Sequence, residues 1–112
     1  MNRDHRLAVY GSLAPGKANH HKLDGLVGGW QPGVVRGWLV ESGWGAAAGF
    51  PGLRPDPLGP EVMVQLFTSE DLPDHWERLD AFEGDEYERV PVNVDLGTYT
   101  VQAQIYALKP EP

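Results

Sequence analysis

The chain has 112 residues, room for one domain spanning 1–112 with a core of its own but not for two. Hydrophobic residues make up 41% and charged residues 22%, ordinary globular usage that excludes wholesale disorder. The net charge is −7 and the 9 basic residues are scattered, which argues against nucleic acid or an anionic membrane as partner. The absence of cysteine excludes disulfides, thiolate metal sites and a cysteine nucleophile.

No apolar run approaches the ~20 residues of a spanning helix. The apolar stretch after Arg6 is too short for a signal peptide, so a cytoplasmic protein is expected. With 14 glycines and 10 prolines, short strands joined by tight turns are expected rather than a helix bundle.

In chain order, the apolar run that includes Val9 and Tyr10 reads as a strand that stops at Gly11. The loop after it closes at Pro15-Gly16, two breakers in a row. A buried strand ending in a glycine-rich loop exposes backbone N–H groups at a sheet end, a geometry suited to an anionic or carbonyl oxygen. Lys17 to Leu26 reads as a short polar helix with His21, Leu23 and Leu26 as inward positions, ended by Gly28-Gly29. Val34 to Val40 is a strand, and Gly37 inside it marks a bulge or the close approach of another backbone. Ser42 to Pro60, rich in glycine and proline, reads as one long loop. Glu61 to Phe67 returns to strand.

A helix is expected over Glu70 to Glu83, with Ser69 or Asp71 as cap, Pro73 in the first turn and Gly84 as the stop. Tyr87 to Asp95 and Tyr99 to Leu108 alternate as two strands joined at Leu96-Gly97-Thr98. Val90, Val92 and Val94 share one face of the first, and Val101, Ala103 and Ile105 share one face of the second. The order makes an α+β domain with a curved sheet or partial barrel and one main helix.

That helix carries the sharpest local signal. Leu72, Trp76 and Leu79 lie at i, i+4 and i+7, a stripe meant for the core. The next member of the series is Glu83, while Asp74, Glu77, Arg78 and Asp80 lie on the other faces as solvated charges. A carboxylate aimed inward loses solvation, which raises its pKa and makes it a better base near neutrality. It also sits in the last turn, where the helix dipole disfavours negative charge. The bland alternative is a helix that frays before Gly84 and lets Glu83 swing into water.

Tyr10-Gly11-Ser12-Leu13-Ala14-Pro15-Gly16, then Asn19-His20-His21, then Leu79-Asp80-Ala81-Phe82-Glu83-Gly84 with Tyr87 and Arg89, and a closing strand with Tyr106, resemble the gamma-glutamylcyclotransferase-like family. The likeness is to its gamma-glutamylamine cyclotransferase branch and covers nearly the whole chain. It implies a small mixed β-barrel with helices outside and a pocket at one end. Residues Tyr10, Gly11, Ser12 and Leu13 would bind the amino-acid end of a gamma-glutamyl group, and Tyr106 would be a pocket residue. Glu83 would be the general acid/base. The implied reaction is attack of the substrate's own α-amine on its γ-carbonyl, forming 5-oxoproline and expelling an amine, with no metal or cofactor. One departure is the strand Val62-Met63-Val64-Gln65-Leu66-Phe67, where the family usually carries a glycine and a tyrosine.

Other readings of the same residues compete. Gly11 to Lys17 satisfies most of a phosphate-binding P-loop, but Ala18 stands where magnesium needs Ser or Thr. His20 and His21, with His5 and His75, invite a metal, yet adjacent residues point apart and no i, i+4 pair exists. His21 is instead a pocket or packing residue. The cluster Asp80, Glu83, Asp85, Glu86 and Glu88 lacks calcium-loop spacing. Trp30, Trp38, Trp44 and Trp76 are expected mostly in the core, and Trp44, amid glycines, is also a candidate lid. Ser12 lacks the frame of a hydrolytic nucleophile. A non-catalytic domain that binds a small amino-acid-like ligand would keep the same loop and the same Glu83.

Overall fold

The computed structural model describes residues 2–11, 16, 20–40 and 52–110. Strand β1 (Arg6–Val9) is buried at Leu7, Ala8 and Val9. It lies between an antiparallel partner, β4 (Glu61–Thr68), and a parallel one, β6 (Thr100–Leu108). A strand covered on both faces needs an unbroken apolar run, which Leu-Ala-Val supplies.

Strand β2 (Gly29–Val40) begins earlier than its apolar core suggests. Trp30, Gln31 and Pro32 already pair with Phe67, Leu66 and Gln65 of β4 (Glu61–Thr68). At Gly37 the strand changes partner: Arg36 pairs with Glu61 of β4, but Gly37 pairs with Pro55 of β3 (Gly52–Pro55). A Cβ on Gly37 would stand 2.6 Å from the Arg54 carbonyl oxygen, so the close backbone approach read from the sequence is what this glycine serves. Strand β3 corrects the reading of Ser42 to Pro60 as a single loop. Its sequence, Gly-Leu-Arg-Pro, has weak strand propensity, and it forms because β2 offers a ladder and Leu53 is fully buried.

Strands β5 (Tyr87–Asp95) and β6 (Thr100–Leu108) form the expected hairpin. Gly97 takes φ 102° in its turn, and the Asp95 carboxylate accepts the Gly97 N–H at 2.8 Å. Val90 pairs with Ile105, Val92 with Ala103 and Val94 with Val101, so both apolar faces meet on one side. The strand order β3-β2-β4-β1-β6-β5, with β2 reaching β5 through Val34 and Asp95, closes five strands into a mixed barrel with β3 as an extension of β2. One core fills the barrel around Val35, Leu66, Val94 and Ile105. A second, around Leu7, Phe67, Leu72, Trp76, Leu79 and Tyr106, joins barrel to helix.

The helix is shorter than its stripe. α1 covers Trp76–Glu83, preceded by a 3-10 turn at Leu72–Asp74. Neither expected cap serves the helix. The Ser69 hydroxyl donates to the Val27 carbonyl at 2.6 Å, and the Asp71 carboxylate accepts the Val27 N–H at 2.8 Å, so both tie down the segment before β2. Similarly, Lys17 to Leu26 contains a 3-10 turn, His20–Leu23, and residues 17–19 lie outside the described part. Leu23 is buried as expected, but His21 is exposed, because the tighter turn aims Leu23 inward and His21 to solvent. Trp76 is core and Trp30 stacks on Phe67 with ring centres 4.7 Å apart. Trp38, by contrast, is half exposed on the outer face of β2 and donates its indole N–H to Asp56 at 3.0 Å. Trp44 lies outside the described residues.

Gly37→Ala is expected to lower unfolding stability by about 1–3 kcal/mol, since the clashing atom is backbone and cannot rotate away. Gly29→Ala, where an added Cβ meets nothing within 4 Å, should change it by less than about 0.5 kcal/mol. Urea titration of both variants checks the contrast.

Candidate active site

Glu83 is the last residue of α1, and the helix does not fray ahead of it. Gly84 closes the helix at φ 87°, and its N–H donates to the Asp80 carbonyl at 3.1 Å. That left-handed step suits glycine. Leu72, Trp76 and Leu79 are 0%, 6% and 0% exposed, and Glu83 continues the stripe to the barrel's end, where it is half-buried. Burial pushes its carboxyl up from 4.5 to about 7. The inward carboxylate read from the periodicity is therefore an observed feature of the helix.

Two tyrosines feel the charge of Glu83: Tyr10, just past β1, and Tyr106, near the end of β6. The parallel pairing of Leu7 with Gln104 and Ala8 with Ile105 carries them to the same end of the barrel. The Tyr10 hydroxyl donates to the Tyr106 carbonyl at 2.6 Å and accepts the Leu53 N–H at 3.0 Å, so it links β1, β6 and β3. Burial raises the pKa of both phenols, and for Tyr106 the hydrogen bond to Asp80 adds to the rise. Gly11 follows at the mouth with nothing within 4 Å of the position a Cβ would occupy. Ser12 and Leu13 lie outside the described residues.

The sequence reading missed a group beside these residues. Asp80, expected on a solvated face, accepts the Tyr106 hydroxyl at 2.6 Å and the Arg89 Nε–H at 3.0 Å on the same oxygen. Its other oxygen accepts from the second arm of Arg89 at 3.4 Å. The guanidinium lies 4.5 Å over the Trp76 ring. Helical periodicity places Asp80 off the apolar stripe and cannot anticipate a partner from β5. The signal was the block Leu79 to Gly84 followed by Tyr87 and Arg89.

Among the described residues no group of three or more His, Asp or Glu is placed to hold a metal ion. A cleft of about 530 Å³ lies elsewhere, on the outer surface between β2 and β5, lined among others by Arg36, Asp56, Asp95 and Gln102. Its lining includes none of Tyr10, Gly11, Glu83 and Tyr106. Among the described residues no helix is long and apolar enough to cross a membrane.

The family model for AIG2-like gamma-glutamyl cyclotransferases matches residues 7–112. The chain belongs to this family. Solved structures agree on the fold. An AIG2-like protein from Mus musculus is similar with a TM-score of 0.73 and 24% identity, over 96% of this chain and 79% of that one. YkqA from Bacillus subtilis gives 0.72 and 25% over 97% of this chain, which spans only 36% of that protein's length. An Arabidopsis thaliana protein gives 0.68 and 25%, over 96% of this chain and 72% of that one. No curated protein sequence matches the chain. As in the AIG2-like mouse protein, the barrel-and-helix architecture is the common element; the gamma-glutamyl cyclotransferase family sets the expectation of a small-molecule substrate.

The raised Glu83 value has a measurable consequence. The folded chain holds a proton that the unfolded chain releases, so this group's contribution falls as pH rises from about 4.5 to about 7. Glu83→Gln cannot ionise and should be more stable than the wild type at pH 8, by on the order of 2 kcal/mol. The gap should largely close at pH 4. Chemical denaturation of both proteins at the two pH values tests the sign.

Proposed function

We propose that this family member is a gamma-glutamyl cyclotransferase acting on a gamma-glutamylamine or gamma-glutamyl peptide, with Glu83 as general acid/base. The observation that carries the reading is a half-buried carboxylate, raised to about 7, at the barrel end where Tyr10 and Tyr106 meet. A group near 7 has both its forms available at neutral pH, as a residue that takes and returns a proton requires.

In this mechanism the Glu83 carboxylate removes a proton from the substrate's α-ammonium. The freed amine attacks the γ-carbonyl carbon and a five-membered ring forms. Glu83 then gives its proton to the departing nitrogen as the original carbon–nitrogen bond breaks, and the ring nitrogen loses its second proton to the released amine, which leaves as an ammonium. The products are 5-oxoproline and an amine. The nucleophile comes from the substrate, which suits a chain with no cysteine. Ring closure within one molecule gains most from being held in a reactive pose. Backbone amides of the segment Tyr10-Gly11-Ser12-Leu13 would hold the α-amino-acid end, and Tyr106 would line the pocket beside it. The residues supply acid/base chemistry and positioning without calling on a cofactor or metal. The net charge of −7 fits a small-molecule substrate rather than nucleic acid or an anionic membrane.

The test is release of 5-oxoproline from a panel of gamma-glutamyl amines and peptides by the wild type and by Glu83→Gln. The expected result is turnover of at least one compound by the wild type, reduced about 10²–10⁴-fold in the variant. Equal rates would remove Glu83 from the mechanism. Absence of product from every compound would overturn the reaction.

A further inference from the structure

Asp80 and Glu83 stand three residues apart on one short helix, so their side chains leave the same end of it about one turn apart. Like charges at i, i+3 on a helix surface repel one another. The hairpin sets a cation against Asp80: Arg89 of β5 forks its carboxylate, with the guanidinium lying over the Trp76 ring. Trp76 is fixed in turn, donating its indole N–H to the Asp4 carbonyl at 3.0 Å. The Asp80 oxygen that receives Arg89 Nε also receives the Tyr106 hydroxyl proton, and Tyr106 is 4% exposed.

We infer that Arg89 is a positioning residue for Glu83: by pairing with Asp80 it screens one helix carboxylate from the other, and through Asp80 it keeps the Tyr106 hydroxyl proton turned away from Glu83. The site then presents the Tyr106 oxygen to its interior as a hydrogen-bond acceptor. Nothing in the family match or the site residues named above assigns Arg89 this role. That an ammonium is what the acceptors receive rests on the proposed cyclisation; the electrostatic role of Arg89 does not.

Several other groups face Glu83 or its neighbours. They are Tyr10 from β1, Tyr106 from β6, Tyr87 from β5 against Tyr10, and Lys22, whose ammonium sits 5.0 Å over the ring of Phe82. None of these residues is itself substituted in the variants below, and Arg89→Met keeps Asp80 as the acceptor of the Tyr106 hydroxyl, so in that variant the charge set against Asp80 is the quantity that changes.

The experiment follows the side-chain carboxyl carbon of Glu83 by NMR through a pH titration, its resonance identified by its loss in Glu83→Gln. Arg89→Met leaves Asp80 without its cation and should move the Glu83 midpoint up by about 0.5–1 unit at low salt. Asp80→Asn leaves the cation without its carboxylate and should move it down. The double variant should return close to the wild type, and Arg89→Lys, which keeps the charge, should stay near it. A purely structural role predicts a different sign: loosening the site admits water, and Arg89→Met would then fall towards the ordinary value. A fall or no change in Arg89→Met overturns the inference. Should that variant not fold, the double variant titrating above Asp80→Asn supports the role of Arg89, and the double titrating at or below it overturns that role.

The titration needs no turnover. A protein that shows opposite shifts in the two single variants but makes no 5-oxoproline would refute the cyclisation and leave the Arg89 role intact.

Discussion

The structure depends on the parallel seam between β1 and β6. Two short strands from opposite ends of the chain lie side by side through Leu7–Gln104 and Ala8–Ile105, and all three of those apolar side chains are in the core. Parallel neighbours run in the same direction, so the residues that leave their C-terminal ends emerge together. That places Tyr10 and Tyr106 at one end of the barrel. The bond from the Tyr10 hydroxyl to the Tyr106 carbonyl then fixes how far the two strand ends can separate. Because the same hydroxyl accepts the Leu53 N–H, the edge strand β3 is secured at the same point.

The helix is arranged around this end rather than adding a separate layer. Its apolar stripe packs on β1, β4 and β6 through Leu72, Trp76 and Leu79, and the stripe runs out where the barrel mouth begins. Glu83 therefore meets a part-dry mouth instead of a filled core, which raises its pKa without removing its route to solvent. Asp80, one turn earlier, meets the outer side of the hairpin and finds Arg89 and the Tyr106 hydroxyl. Two carboxylates on one helix thus acquire different environments from a rotation of a few residues.

The strands and turns were legible where local chemistry decided them. The hairpin of β5 and β6 could be read from alternation and from Gly97, and its register pairs the same valines with Val101, Ala103 and Ile105. Strand β3 was not legible, because Gly52 and Pro55 argue against a strand and only the free ladder of β2 overrides them. The helix start was misplaced because Ser69 and Asp71 are good caps in isolation, yet both find the backbone of Val27 in the folded chain. Trp38 was assigned to the core by type, but its position on the outer face of β2 leaves it half exposed, with its indole N–H donated to Asp56.

By itself the sequence determined the inward direction of Glu83, because helical periodicity is a local property that Leu72, Trp76 and Leu79 already display. It also determined the family, through short blocks whose order along the chain carries the likeness. The tertiary structure alone decided which groups would stand around that carboxylate. Tyr10 and Tyr106 meet through a parallel pairing across 96 residues of chain, and Asp80 is joined to Arg89 by a hairpin packing back on the helix. Such contacts depend on how distant segments fold together, and no period or spacing along the chain encodes which of two neighbouring carboxylates will meet a cation.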